Sequence, residues 1–415
     1  MLRSRFSGVS GLRLHQTRMD VIGNNIANVN TVAFKSSRVT FSELYSQTLR
    51  PASAPEPGGR GGTNPFQIGL GIGISSVDVL HINGSVQRTD RATDLAIEGD
   101  GFFVVEDRSG RFYTRAGNFD MDEQGNLVTS GGLKVLGWSY DSATGSISTA
   151  GQPSAINLAN LKLPPKATES VEFFGNLDSR LPVGSQVSYT VSVYDAKGDT
   201  HAVTYTFEKD AADNVWLYSV SSLDGVITSG DTGVLVFDDN GKFIPPGMPG
   251  GSTVPALTLA VTGTEDIVYQ ASFVPDKFTY NAGESSINTA NVDGYSFGVL
   301  NGIAIDATGS IIGVYSNGQF RTEAVLAMAT FTNPGGLVKK GDNLFMESTN
   351  SGISNIGTSG TDGRGTVNPG ALEMSNVDLA KEFTDMIATQ RGFQANSRII
   401  TTSDELLQEL VNLKR

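Results

Sequence analysis

Two amphipathic segments, residues 4–28 and 376–414, stand at opposite ends of a long glycine-rich stretch with β-type patterning. Near the C-terminus Leu379, Phe383, Met386, Phe393, Ile400, Leu407 and Val411 recur on steps of three and four, with Gln390, Ser397 and Asp404 in the gaps. A second lane, Ile387, Ile399, Leu406, Leu410 and Leu413, widens the stripe. A repeat of this period buries one long face of a helix, and two lanes imply more than one neighbour. At the N-terminus Phe6, Val9, Leu12, Met19, Ile22 and Ile26 do the same, with a weak point at His15 and Gln16. Isolated helices are marginal in water, and burial on one face does not repay the entropy of ordering so long a segment. The pattern therefore predicts ends that are disordered in the free chain and fold on copies of themselves. The competing expectation is an ordinary pair of terminal helices packed on their own chain.

At 415 residues and 39% hydrophobic composition, the chain can form two to four folded domains. No uninterrupted run of about 18 apolar residues occurs, so a soluble chain without membrane insertion is expected. The first 30 residues carry Arg3, Arg5, Arg13 and Arg18 but no unbroken apolar core or small-residue cleavage site, which predicts export, if any, without a cleaved signal. A net charge of −13 argues against nucleic acid as a partner. The absence of cysteine excludes disulfides, thiol catalysis and thiolate metal sites.

From Tyr45 to Gly69, Pro51, Pro55, Pro57 and Pro65 interleave with Gly58, Gly59, Gly61 and Gly62, the composition of a linker or extended arm. The Gly69, Gly71, Gly73 spacing superficially resembles a nucleotide loop, but an alternating strand, Ile74 to Leu80, follows it where a phosphate site needs a helix. Alternation also marks strands at Val187–Val193, Ala202–Phe207 and part of Ala324–Phe331. The pairs Asp122/Gly125, Asp195/Gly198, Asp238/Gly241 and Asp306/Gly309 each predict a hairpin closed by a type I turn with a left-handed glycine. Asp120, Asp122 and Gln124 have calcium-loop spacing, yet Gly131 stands where a bidentate Glu is needed.

Composition shifts near 145 and 285 predict the organisation. The expected fold is mainly β with long terminal α-helices, built from nested discontinuous domains. Residues 1–44 and 372–415 form a helical terminal domain, 45–74 a linker arm, 75–145 and 286–371 a β-rich middle domain, and 146–285 an inserted β-rich domain. Catalytic chemistry is not indicated. His15, His81 and His201 have no ligand-spaced neighbours, and no zinc-protease helix, Walker loop or Gly-x-Ser-x-Gly elbow occurs. No enzyme activity, cofactor or metal is therefore expected.

Within the helical ends, Asn24, Asn25 and Asn28 can close a helix by satisfying carbonyls or turning left-handed. Asn376 or Asp378 can cap the start of the second helix. Gly392 lies mid-helix at a cost of about 1 kcal/mol, which points to close approach of another helix. The run Asp20-Val21-Ile22-Gly23-Asn24-Asn25-Ile26-Ala27-Asn28 with Thr31 and Phe34-Lys35 resembles the N-terminal signature of the flagellar rod and hook family. Gly370 to Leu379, followed by Glu382-Phe383, Met386-Ile387 and Gln390 to Asn396, is similar to its C-terminal signature. Asp94 to Phe103 and Tyr113 to Phe119 resemble the family's shared β-domain.

The length and the central insert match hook-type members; distal rod members are shorter, although the Pro/Gly arm resembles a rod segment. The resemblance implies a curved tubular homopolymer outside the cell, a universal joint between rod and filament. It implies as partners other copies of the chain, a rod protein proximally, a hook cap and hook–filament junction protein distally, and the flagellar type III export apparatus. Polymerisation would fall to Leu12, Met19, Ile22, Asn24, Asn25, Ile26, Asn28, Leu379, Phe383, Met386, Gln390, Gly392, Phe393, Asn396, Ile400, Leu407 and Val411. A rod-type axial protein and a secreted β-rich adhesin are the alternatives.

Overall fold

The computed structural model describes residues 2–413 except 56, 57, 59, 60 and 262–264; the side chains of Leu2, Arg3 and Leu410 also lie outside it. Two helices stand at the ends, α1 (Leu2–Ala27) and α2 (Leu379–Asn412), and among the described residues the regular structure between them is strand apart from one 3-10 turn at Pro334–Gly336. Helix α2 begins three residues later than the apolar pattern predicts. Asp378 is its cap, accepting from the N–H groups of Ala380 (2.9 Å) and Lys381 (3.2 Å), which neutralises two donors that a helix start leaves free. No described helix is long and apolar enough to cross a membrane.

The chain divides into two compact units, one comprising residues 1–159, 304–312 and 322–415, the other 160–303 and 313–321. In the first, α1 leads into strand β1 (Ser37–Glu43), which pairs antiparallel with β4 (Ile72–Val79) from Ser37↔Val79 to Glu43↔Ile72. Between them the Pro/Gly-rich stretch is more ordered than a linker: β2 (Ser46–Arg50) and β3 (Phe66–Gly69) form a hairpin ladder, continued by a bridge from Ser53 to Thr63. A larger antiparallel sheet runs in the order Lys134–Ser139, Phe102–Asp107, Gly110–Thr114, Leu344–Met346, Val338–Gly341, with Ala324 to Leu326 alongside Gly137 to Ser139. Segments far apart in sequence thus share one core of Phe102, Val104, Tyr113, Leu136, Trp138, Phe331 and Phe345.

Two sheets form the core of the second unit. One has the order Val226–Ser229, Leu257–Ala260, Ile267–Asn281, Ser170–Asp178, Ser286–Val292, its Ser170–Asp178 and Ile267–Asn281 strands parallel. The other is an antiparallel meander of Gln186–Tyr194, Thr200–Lys209, Val215–Ser222 and Thr232–Val236. Alternating side chains from both sheets meet in an aromatic core: Phe173 stacks on Phe273 at 5.2 Å, and Tyr205 meets Phe173 edge-on at 4.8 Å.

All four Asp/Gly turns form as their chemistry dictates. The glycine N–H donates to the aspartate carbonyl at 2.9–3.1 Å in each, and each glycine has φ between +73° and +91°. Each aspartate carboxylate accepts the N–H four residues on, so Asp122 is occupied by Asn126. The predicted strand Ala324–Phe331 is interrupted at Ala327, giving Phe320–Leu326 and Met328–Thr330.

Candidate assembly interface

Helices α1 and α2 lie antiparallel against each other. The pairing reads, from one end, Arg5–Asp404 at 3.7 Å, Gly8 against Ile400, Gly11 against Asn396, His15 against Gly392, Arg18–Asp385 at 3.0 Å and Asn25–Glu382 at 3.1 Å. A Cβ on Gly392 would stand 2.6 Å from Cε1 of His15, and one on Gly11 2.7 Å from Nδ2 of Asn396. The close approach expected at Gly392 is therefore made by the chain's own first helix. This corrects the expectation that each end finds a helical partner only on another copy.

The α2 side of this seam is Glu382, Asp385, Thr389, Gly392, Asn396, Ile400, Ser403 and Leu407, small and polar for the most part. Thr389 and Ser403 are buried, their hydroxyls donating to the carbonyls of Asp385 (2.7 Å) and Ile399 (2.6 Å), which removes the cost of an unpaired hydroxyl. On the α1 side Leu14, Ile22 and Asn25 are buried. Hydrophobic periodicity reaches only Ile400 and Leu407 of this lane because large apolar residues dominate that signal; the signal for the rest is the run of small and polar residues on three- and four-residue steps.

The large apolar residues lie to either side. At about 100° per residue, Leu379 and Phe383 fall on one flank of the seam, Ile399, Leu406 and Leu413 on the other, and Ile387 on the face opposite it. All six are exposed, Ile387 by 59% and Leu406 by 51%. Of the other predicted residues, Gln390 and Val411 are exposed; Met386, Phe393, Ile400 and Leu407 are half-buried, as are Leu12, Met19 and Ile26. Phe6 is 70% exposed. An apolar surface of this extent on a helix pair marks an interaction site.

The asparagines divide their work. The Asn28 side chain donates to the Asn24 carbonyl at 2.9 Å and closes α1, while Ala33 takes the left-handed conformation at φ 56°. Asn25 is buried, exchanging bonds with the backbone of Ser37 (2.8 and 2.9 Å) as well as reaching Glu382. Asn376 does not cap α2; it accepts from Ser36 N–H at 2.8 Å and donates to the carbonyls of Leu80 and Ile82.

At the root of the helices lies a buried ionic cluster. Lys35 Nζ stands 2.6 Å from Glu373 Oε1 and donates to the Ile82 carbonyl at 2.7 Å; Gly84 N–H donates to the same carboxylate oxygen at 2.8 Å. Arg115 lies 3.5 Å from the other oxygen of Glu373 and donates to Asn83 (2.7 Å) and to the Gly99 carbonyl. Burial and then Arg115 pull the Lys35 amine below its ordinary range, and Glu373 opposes them. His81 sits between Phe102 (5.6 Å) and Phe345 (5.3 Å). Its pKa is pushed down to about 4, by burial first and then by Lys35, Arg115 and Lys339. A Cβ at Gly84 would stand 2.0 Å from the Met374 carbonyl, so only glycine lets the strand before α2 pass here.

The β2–β3 hairpin supplies a second unsatisfied surface. Tyr45, Leu49, Phe66, Ile68 and Leu70 at and beside it are all exposed, and a two-stranded hairpin without a covering layer is marginal in water.

Comparison with known proteins covers the whole chain. Residues 7–35 match a model described as flagella basal body rod protein, 96–173 the flagellar hook protein FlgE/F/G D1 domain, 160–295 the flagellar basal body protein FlaE D2 domain, and 368–413 the flagellar basal body rod FlgEFG protein C-terminal. The flagellar hook protein FlgE of Borreliella burgdorferi is 41% identical, with 100% of each chain covered. A protein of Bacillus subtilis named flagellar basal-body rod protein FlgG is 34% identical, again over 100% of both chains. The solved structure of the Helicobacter pylori flagellar hook protein FlgE2 covers 69% of this chain and 100% of its own, with a TM-score of 0.50 at 14% identity, a likeness of fold.

Proposed function

Because the chain belongs to the flagellar hook protein family, we propose that it is the structural subunit of a bacterial flagellar hook. It self-assembles into a curved tubular helical polymer that serves as a universal joint between rod and filament. The observation that carries this reading is the division of labour on the terminal helices. Small and polar residues pair α1 with α2 inside one chain, leaving both apolar flanks of α2 for other copies. A heterologous contact that does not close on itself generates a helical tube.

In this reading residues 1–44 and 372–415 line the inner tube, the arm at 45–74 and the β-domain of 75–145 and 286–371 form the middle layer, and 146–285 lies outermost. The hairpin arm reaches onto a neighbouring subunit, which covers its exposed apolar residues. The chain leaves the cell through the flagellar type III apparatus, adds beneath a hook cap, and meets a rod protein at one end and a junction protein at the other. Its role is structural and not catalytic.

A rod-type polymer is the second reading, favoured by the full-length match to the Bacillus subtilis protein with a rod name. Electron microscopy of the purified full chain under polymerising conditions separates them. Curved tubes are expected; straight rigid tubes would favour the rod, and a folded monomer that forms no polymer would contradict both. Deleting residues 50–66 should change curvature or bending stiffness, and unchanged tubes would exclude an intersubunit role for the arm.

A further inference from the structure

The meander sheet of the second unit has two unlike faces. Its inner face carries Val191, Val203, Tyr205, Phe207, Trp216 and Tyr218, all buried. Its outer face carries hydroxyls matched strand to strand: Thr190 opposite Thr204, Ser188 opposite Thr206, Thr204 opposite Ser221, Thr206 opposite Ser219, and Ser219 opposite Thr232. The Oγ1 atoms of Thr190 and Thr204 are 2.9 Å apart. Among the outward residues described for these strands the single charge is Glu208, at one end of the face and held by Gln186 at 3.1 Å. Beside it Leu217 pairs with Val234, and Leu217 is 41% exposed.

A solvated face of a soluble domain ordinarily carries interspersed charges. Here a broad face lacks them in a chain whose net charge is −13, a charge that makes copies repel one another wherever acidic surfaces meet. An uncharged face can be covered by a second copy without that repulsion and without desolvating ions. Serine and threonine hydroxyls both donate and accept, so contacts made through them can exchange partners when a neighbour shifts. That property suits an outer contact in a polymer that bends, whereas an apolar seam favours one register.

We infer that the hydroxyl face of the Gln186–Tyr194, Thr200–Lys209, Val215–Ser222 and Thr232–Val236 sheet is covered by a second copy of this chain in the assembled polymer. The inference rests on the polymer reading above. The chain contains no cysteine, so Thr190→Cys or Ser219→Cys introduces its sole thiol. Maleimide labelling rates are compared between monomer and polymer for each variant, with excess unmodified chain co-assembled if a variant polymerises poorly. Labelling slowed about tenfold or more in the polymer is the expected result, since the core of an interface excludes solvent. Equal rates in monomer and polymer would overturn the inference and leave the polymer reading intact. Failure of the unmodified chain to polymerise would overturn both.

Discussion

The aromatic core of the second unit and the terminal helices spend their large side chains in opposite ways. Phe173, Tyr205, Phe207, Trp216 and Phe278 are completely buried within one chain, while Phe383, Ile387, Leu406 and Val411 stand at least half exposed on α2. The first region is finished by its own sequence. The second is only half finished: its seam is closed, but its apolar flanks are not. A subunit needs this asymmetry if it is to fold its body alone and reserve its strongest burial for assembly. The same comparison explains why small residues occupy the seam, since glycines at 8, 11 and 392 let two helices pair closely while consuming almost no large apolar surface.

The comparison can be broken at either end. Phe173→Ala should have the largest effect on the monomer, about 3–5 kcal/mol lost from the second unit, because the stacked ring on Phe273 leaves a cavity. Urea unfolding followed by tryptophan fluorescence from Trp216 would read it. A loss below about 1 kcal/mol would mean the core is less complete than its burial implies.

The buried cluster at the helix root gives a smaller, pH-dependent effect. The unfolded chain protonates His81 near its ordinary value of 6.5, the folded chain only near 4. Between these values the unfolded state binds more protons at this residue, so the His81 contribution to stability falls as pH drops from 6.5 to 4, by roughly 3 kcal/mol in all, and changes no further below. Denaturation midpoints at several pH values should show that slope reduced in His81→Phe; an identical slope would remove His81 as its source.

Smaller again is Gly392→Leu, whose side chain meets the His15 ring. About 1–3 kcal/mol of helix pairing is lost by overpacking, and the β-body keeps its unfolding transition. Hydrogen exchange along α1 would rise. Unchanged protection there would contradict the close helix contact.

Much of this was legible in the residues. The end helices, the Asp/Gly turns and the tight approach at Gly392 follow from local periodicity and turn chemistry, whereas the hairpin pairing of Ser46–Arg50 with Phe66–Gly69 was hidden by a Pro/Gly composition that reads as a linker. Partnerships did not. Lys35 and Glu373 lie 338 residues apart, and Asn25 meets Glu382 across 357, so no spacing rule could pair residues of two end signatures. The helix seam was hidden for a different reason. Thr389, Asn396 and Ser403 carry no hydrophobic signal, so the apolar lanes, which enter the seam only at Ile400 and Leu407, drew attention mostly to faces that point away from α1. Asn376 was hidden because a residue with cap chemistry near a helix start can instead tie the start of β1 to the segment that follows β4.

The central claim is that the exposed apolar residues of α2 serve other copies and the seam serves its own chain. Its most direct test is the double variant Ile387→Asp/Leu406→Asp, followed by sedimentation and circular dichroism beside the unmodified chain. Both sites are exposed, so the monomer should change stability by less than about 0.5 kcal/mol per site and keep its helix content, while polymer formation is abolished. Polymers that form as readily from the variant, or a monomer that loses its helices, would contradict it.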